Sequence, residues 1–500
     1  MMIDTKLSAT PDWLRAQALT RPCALAVDDG NTRWTFHELD QAANRAWSLL
    51  VQAGAQRGDR IAWIGFPTSD AVALVHGVLR LGAILVPLDP KLTLAEIEVR
   101  LKDAEPRLIL YDPKAIRYDL QAIKEIPVVP LSTMARIEAH HAPVPNIELN
   151  RICALIYTSG TTSQPKGALL RAGNFFWSAV FGGLHMGTDP KDRWLFVMPL
   201  FHVSGLSIIF RSAIHGSAIV MRSPFEANSA MNAMIEEQVS LASLVPTMLW
   251  RLLDHGLSGR AVPDLRMILL GGAGASPDLI ERGRQSGLPI VPTYGLTETC
   301  SQVVTGLVPW EDEPPGSAGR PIFPTEIRIV DKDGHDLPVG QTGEILVSGP
   351  TVFAGYWKQE TVSANTLQQG WLHTRDVGML TNTGWVFIKD RLSDMIIRGA
   401  ENIAPTEIEN ALSSHPAVTE AAVVGIPDEE WGEQIVAVLV TIDDTIPHDL
   451  TTFLQTRLAR YKIPTAYFLV NALPRTPSGK IQRHQVRRQV QQNEVFPLHD

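Results

Sequence analysis

Eleven residues, YTSGTTSQPKG at 157–167, constrain this chain more than any other stretch. Five small hydroxyls, two glycines and one lysine make a poor helix and a poor strand, but a good loop of hydrogen-bond donors. Such a loop can wrap a polyphosphate. Backbone N–H groups, that of Gly160 among them, and the hydroxyls of Thr158, Ser159, Thr161, Thr162 and Ser163 supply neutral donors, while Lys166 supplies charge. The apolar run at 152–156 reads as a buried strand, so the loop leaves a strand end as nucleotide loops do. It is not a Walker A loop, because the GxxxxGK[ST] spacing is missing. A structureless Ser/Thr linker is the competing reading.

Five hundred residues, 45% hydrophobic and 19% charged, imply a globular chain of more than one domain with ample core. The formal net charge of −9, without long blocks of like charge, gives no electrostatic footprint for nucleic acid. Cysteine is sparse and odd in number (Cys23, Cys153, Cys300), which suits a reducing compartment and no disulfide framework. The N-terminus has no basic region followed by an apolar run, and no stretch approaches a membrane span. These features predict a cytoplasmic protein without a membrane span, and they leave monomer and homo-oligomer equally open.

Regular patterning begins at Trp34. Leu39, Ala42, Ala43, Ala46, Trp47 and Leu50 fall at helical spacing, with Gly54 placed to stop the helix. Residues 60–65 and 84–87 read as strands around a helix that Ser69 caps and that ends at Leu81; 108–111 adds a strand, and 127–150 reads as irregular. Further on, 194–198 reads as a strand running into PLFHVSGLS at 199–207, and 267–270 and 290–292 read as strands. This alternation predicts parallel βαβ units and helix-covered sheets. From 325 the character changes. A hairpin turning at Asp333 and Gly334, and another in TNTGWVFIKD just after Asp376, predict an attached antiparallel β unit. A boundary near Leu392 separates a large domain, 1–391, from a small α+β domain, 392–500, with helices at 407–412 and 450–458 and strands at 421–424 and 435–441. The predicted fold class is therefore α/β: a large N-terminal domain of helix-covered, mostly parallel sheets with an antiparallel β unit, and a small α+β C-terminal domain.

Several residues admit both a chemical and a structural reading. His202, between Phe201 and Val203, is either a packed core histidine or a site residue. Arg211 sits in the apolar run from Leu206 to Ile214; it either snorkels to water or receives an anion in a pocket. Gly272, Ala273 and Gly274 lack the side chains that would keep a flat ligand from the backbone. Glu298, among the hydroxyls of TYGLTETCSQ, is either an Mg²⁺ ligand completed by nucleotide phosphates or a helix-start carboxylate. Asp376 can accept both hydroxyls of a ribose, or serve a turn. Lys480, after two prolines, a serine and Gly479, rides an exposed, stiffened turn.

In order along the chain, YTSGTTSQPKG, PLFHVSGLS, YGLTETC, GEILVSGPTVFAGYWK, WLHTRDVG, DRLSDMIIRGAENIAPTEIE and PRTPSGKIQR resemble the motifs of the adenylate-forming superfamily, which includes acyl-CoA synthetases, luciferases and peptide-synthetase adenylation domains. The resemblance covers the chain from about Trp34 to its end. It implies an ATP-dependent, AMP-forming acid–thiol ligase: a carboxylate attacks the α-phosphate of ATP to give acyl-AMP and pyrophosphate, and a thiol then displaces AMP. It also implies roles. The loop holds the departing phosphates, Thr297 lies beside the α-phosphate and Glu298 binds Mg²⁺. Gly272, Ala273 and Gly274 face adenine with Tyr294 stacked on it, Asp376 and Arg391 hold the ribose, and Lys480 bridges carboxylate and α-phosphate. Family members turn a mobile small domain between the two steps, here about Leu392 and Ser393, bringing 398–403 over the site. Ala400 stands where glycine is commoner, which narrows the expected thiol channel.

The chain ends soon after PRTPSGKIQR, so coenzyme A is the expected acceptor rather than a fused carrier. FHVSGLS, the arginine in its apolar run and YGLTETCSQ look most like the 2-succinylbenzoate:CoA ligases of menaquinone synthesis. That acid has two carboxylates, and the one not activated needs a cation or polar shell. Arg211 is the candidate, with His202, Ser204 and Thr297 around the acid. A benzoate-type or short-chain acyl-CoA synthetase is the enzymatic alternative, and a non-catalytic nucleotide-binding protein is the alternative outside catalysis.

Overall fold

The helical stripe after Trp34 forms the helix Phe36–Gln52, buried through Leu39, Ala42, Ala43, Ala46, Leu49 and Leu50. A capping box between Thr35 and Glu38 starts it, and Gly54, at φ 77°, follows its end. It packs on helix Ser69–Leu81 so tightly that a Cβ on Gly77 would lie 2.7 Å from the Ala46 Cβ. The cap of that second helix is Thr68, not Ser69. Thr68 has the extended backbone of a cap and its hydroxyl accepts from the Ala71 N–H, whereas Ser69 is already helical.

This computed structural model describes residues 8–492 apart from 117, 121, 122, 124, 141, 143–145, 159–165, 311, 393, 399, 400, 429–431, 444, 477 and 478. Ser159, Gly160, Thr161, Thr162, Ser163, Ser393 and Ala400 therefore lie outside the described residues. The fold is α/β, with a large N-terminal and a small C-terminal part. A six-stranded sheet runs Lys166–Arg171, Ile152–Thr158, Ile84–Leu88, Arg60–Ile64, Leu108–Tyr111, Val128–Pro130, and every pair except the first is parallel. A nine-stranded sheet is parallel from Ile290–Leu296 through Leu25–Asp28 and antiparallel at both ends. One hydrophobic core joins residues of both sheets and the helices between them, with Trp63, Trp194, Phe36, Phe175 and Phe196 almost fully buried. Among the described residues no helix is long and apolar enough to cross a membrane.

Three local expectations change. The strand Arg193–Phe196 ends early, and PLFHVSGLS turns instead into helix Val203–His215 with His202 at its N-cap. That helix starts at His202 without a side-chain cap, so no local signal marks where the segment turns helical. Asp333 and Gly334 do lie in a turn, but a second turn at Pro338 separates them from the partner strand. Strands Glu326–Val330 and Thr342–Ser348 thus pair across residues 331–341. Asp376 lies within strand Trp371–Leu380 rather than ahead of the hairpin, directly opposite Arg391 of Val386–Arg391.

The small part is a five-stranded sheet built on the long pair Val418–Asp428 and Gly432–Thr441, flanked by helices Pro405–Ser413, Leu450–Gln455 and Arg483–Gln491. Its apolar clusters draw only on residues from Ile396 onward.

Candidate active site

The edge strand Lys166–Arg171 pairs with Ile152–Thr158, Thr158 opposite Lys166, so both ends of the intervening loop are fixed by a sheet. The Lys166 ammonium lies 5.6 Å from the centroid of the Tyr356 ring. The Tyr356 hydroxyl in turn donates to Glu298 Oε1 at 2.8 Å. Burial, then the Glu298 charge, push the Tyr356 phenol far above its ordinary pKa, so it remains a donor. Glu298 sits in a single 3₁₀ turn, Thr297–Thr299. Its Oε2 makes no hydrogen bond among the described residues. One such carboxylate, joined through Tyr356 to the Lys166 end of its strand, fits Mg²⁺, which takes one or two carboxylates and fills its shell with phosphates and water.

Asp376 is aimed by a bulge. Arg375 takes the left-handed backbone (φ 62°), and Glu344 fixes it by accepting from the Arg375 N–H (3.0 Å) and pairing with His373 Nδ1 (3.1 Å). The buried Asp376 carboxylate then accepts from the Tyr294 hydroxyl at 2.8 Å and faces Arg391 Nε at 3.1 Å. Burial raises its pKa more than Arg391, Tyr294 and Lys480 lower it. Each oxygen keeps a lone pair for a diol.

On the other wall, Gly272 has φ 78° and a Cβ there would lie 3.2 Å from Val245 Cγ1, while a Cβ on Gly274 would meet nothing within 4 Å. Gly479 (φ 84°) brings the small part to this wall, since its Cβ would lie 3.2 Å from Thr247 Oγ1 and 3.8 Å from Val245 Cγ2. Lys480 follows it into the cleft. As a whole residue it is exposed, yet protein surrounds its ammonium closely enough that burial, then Arg391, lower its pKa, with Asp376 and Glu298 opposing. Burial, then the Lys480 charge, push His202 down to about 4, so that imidazole is neutral at neutral pH. Lys480, Glu298, Asp376, Arg391, Tyr294 and His202 are thus brought together from both parts of the chain.

Helix Val203–His215 carries the remaining candidates. Ser204 is half-buried in its first turn, and Arg211 is 2% exposed, which removes the route to water. Its guanidinium meets only neutral groups among the described residues: Gln302 Oε1 at 3.1 Å, Ser178 Oγ at 3.0 Å and the Trp194 ring at 5.7 Å. Burial lowers it to about 10, so it stays charged at neutral pH. Arg211 Nε, Ser207 Oγ and His202 Nε2 are buried without a hydrogen-bond partner, and all three lie on or at the start of this helix. A helical side chain leans toward the N-terminus, so the guanidinium points back toward the His202 end. Thr297 stands at the start of its 3₁₀ turn, and Leu392 is 48% exposed with its N–H on the Arg375 carbonyl.

Tyr356, Glu344, Thr247, Gln302 and Ser178 are site neighbours that sequence patterning does not single out. Only Thr247 carries a local signal, the helix start after Pro246.

Residues 14–357 match the AMP-binding enzyme family, and residues 407–480 match the AMP-binding enzyme C-terminal domain. The 2-succinylbenzoate–CoA ligase of Bacillus licheniformis is 36% identical over 483 residues, covering 95% of this chain and 99% of that protein. Among solved structures, o-succinylbenzoate CoA synthetase (MenE) from Bacillus subtilis in complex with the acyl-adenylate intermediate OSB-AMP superposes with a TM-score of 0.91, at 36% identity, over 96% of this chain and 99% of that one. Its complex with ATP and magnesium ion gives 0.89, at 36% identity over 95% and 99%. A double mutant of the same enzyme bound with its product analogue OSB-NCoA gives only 0.74, at the same 36% identity over 96% and 98%. The chain belongs to the AMP-binding enzyme family, and within it stands beside the 2-succinylbenzoate–CoA ligases.

Proposed function

We propose that this chain is an ATP-dependent, AMP-forming ligase that joins 2-succinylbenzoate to coenzyme A, the step that activates this acid in menaquinone synthesis. The observation that carries the choice of acid is Arg211. A charged guanidinium buried among neutral partners, with its own Nε unsatisfied and Ser207 Oγ, one helical turn back, unsatisfied too, is costly unless an anion arrives. A dicarboxylic acid supplies one, since one carboxylate reacts while the other meets Arg211. Ser204, His202 and Thr297 would line the rest of the acid site.

In the first step a carboxylate oxygen attacks the α-phosphorus, the bond to the β-phosphate oxygen breaks, and pyrophosphate leaves. Thr158, Ser159, Gly160, Thr161, Thr162 and Lys166 would hold the departing phosphates. Gly272, Ala273, Gly274 and Tyr294 would hold adenine, and Asp376 with Arg391 the ribose. Mg²⁺, held by Glu298, would supply charge neutralisation for the phosphates. Lys480 places a fixed cation where carboxylate and α-phosphate accumulate negative charge, a large catalytic effect in a site of low dielectric. In the second step the coenzyme A sulfur attacks the acyl carbon, the C–O bond to AMP breaks, and the thioester forms. Lys480 blocks that approach while it fills the cleft. We therefore assign 1–391 and 392–500 as two domains that turn about Leu392 and Ser393 between steps. The different superposition on the adenylate and product-analogue complexes of one relative supports this. Three unpaired cysteines are in keeping with a cytoplasmic enzyme.

The test is acid-dependent AMP formation with ATP, Mg²⁺ and coenzyme A, comparing 2-succinylbenzoate with benzoate, malonate and octanoate. Strong preference for 2-succinylbenzoate is expected. Preference for another acid would overturn the choice of substrate, and AMP formation that ignores every acid would overturn the ligase itself.

A further inference from the structure

Arg483 lies three residues past Lys480, at the start of helix Arg483–Gln491. All its N–H groups are engaged. Nε donates to Glu409 Oε1 (2.9 Å), Nη1 to Asp390 Oδ1 and Asp394 Oδ2 (3.1 Å each), and Nη2 to Thr406 Oγ1 (2.9 Å) and Glu409 Oε2 (2.6 Å). The Asp390 side chain is only 2% exposed. Besides Arg483 it accepts from the Thr406 N–H at 2.9 Å, in the first turn of helix Pro405–Ser413, and from the Arg391 N–H at 2.9 Å. Asp390 is built into the antiparallel sheet of the large part, opposite Val377. Arg483, Thr406 and Glu409 belong to the small part, and Asp394 lies just beyond the proposed pivot. The carboxylate thus sits on one side of the pivot and two of its three partners on the other.

We propose that Asp390 is a latch for the adenylating arrangement, a positioning residue that clamps Arg483 and the first turn of helix Pro405–Ser413 so that Lys480 is held in the cleft. The inference rests on the domain rotation proposed above. Turning the small domain about 392–393 carries Arg483 and Thr406 away from Asp390, whose carboxylate keeps only the Arg391 N–H. Arg483 keeps Glu409 and Asp394, which travel with it. The bonds lost are those to Asp390 from Arg483 and the Thr406 N–H, while Arg483 keeps its pairing within the small domain, so the latch favours one arrangement without holding that domain's own fold. Lys480 is coupled to it through the chain: two residues separate it from Arg483, and the segment closes on itself, with Thr476 N–H donating to the Lys480 carbonyl at 2.7 Å, Lys480 N–H to Thr476 Oγ1 at 3.1 Å and Gln482 N–H to the Pro474 carbonyl at 2.8 Å. Charge-assisted bonds to a carboxylate screened from water are strong enough to bias such an equilibrium.

Asp390→Asn keeps the shape and removes the charge. Acid-dependent pyrophosphate release should fall roughly tenfold with KM for ATP unchanged, while thioester formation from supplied acyl-adenylate is retained or faster. Equal loss in both half-reactions would overturn the latch. Spin labels at Leu19→Cys and Ile442→Cys, both exposed positions, in a Cys23→Ser background report the arrangement directly. The wild-type chain should show one distance population with ATP and another with coenzyme A and acid, and Asp390→Asn should shift the first toward the second. Two wild-type populations that Asp390→Asn leaves unshifted would overturn the latch alone. A single population under all conditions would remove the rotation and the latch together. If Asp390→Asn does not fold, Arg483→Lys, which keeps a charge beside Glu409 but loses the fork to Asp390, must give the same split or the latch falls.

Discussion

Arg211 shows how one residue can carry information that its neighbours do not. A charge inside an apolar run is visible in the sequence, and its 2% exposure rules out the snorkelling that would have made it ordinary. Losing a charged hydrogen-bond partner for the second carboxylate should raise KM for 2-succinylbenzoate about 10- to 100-fold in Arg211→Leu, with little change for benzoate. Steady-state kinetics with both acids checks this, and an equal rise for the two would contradict it. Tyr356, Glu344 and Gln302 were not legible in the same way. Glu344 and Tyr356 fall inside GEILVSGPTVFAGYWK and Gln302 ends YGLTETCSQ, but their partners lie 31, 58 and 91 positions away, so the motifs do not say what each side chain holds. Asp376 falls between these cases: its identity suggests ribose chemistry, but only the Glu344-held bulge explains why it faces the cleft.

Elements were legible where their period was clean. Helix Phe36–Gln52 shows an apolar stripe and a Thr–Glu capping box, and 108–111 is a short apolar run whose bounds match the strand Leu108–Tyr111. Helix Val203–His215 was not legible, because no side-chain cap marks its start at His202. Packing between helices adds a second hidden layer. Arg80 of helix Ser69–Leu81 reaches Asp12 at 2.8 Å, Asn44 at 2.9 Å and Asp40, joining three helices through a charge screened from water. Arg80→Met leaves Asp12 without a counter-charge and Asp40 with Arg15 alone, and should cost about 3–5 kcal/mol of stability at pH 7. The sign with pH follows from Asp12. Burial raises its pKa, but Arg80, the Arg15 N–H and His76 together more than offset this, and the net value is lowered. In the wild type its contribution is present above the unfolded pKa and lost as pH falls through the lowered folded value. Removing Arg80 takes away the largest lowering influence and moves the folded pKa up from its wild-type value, so the variant's deficit should shrink as the pH falls from 7 towards 5. Urea unfolding at both pH values measures this; a deficit that widens on acidification would contradict the assignment.

At the scale of the whole molecule, the order of motifs announced a large α/β part and a small α+β part, while their mutual placement came only from structure. Gly479 resting against Val245 and Thr247 seats Lys480 in a cleft whose other walls belong to the large part. A site shared in this way explains why a lysine on a surface turn can serve chemistry: the turn is surface of one part and interior of the pair. On the rotation proposed above, it would also make the two half-reactions separable, the first needing the small part in this position and the second not. The direct measurement is Lys480→Ala assayed on each half-reaction with 2-succinylbenzoate. The account predicts that acid-dependent pyrophosphate release slows by on the order of 10² to 10³ while thioester formation from supplied acyl-adenylate stays within about twofold of wild type. Equal loss in both half-reactions would contradict it.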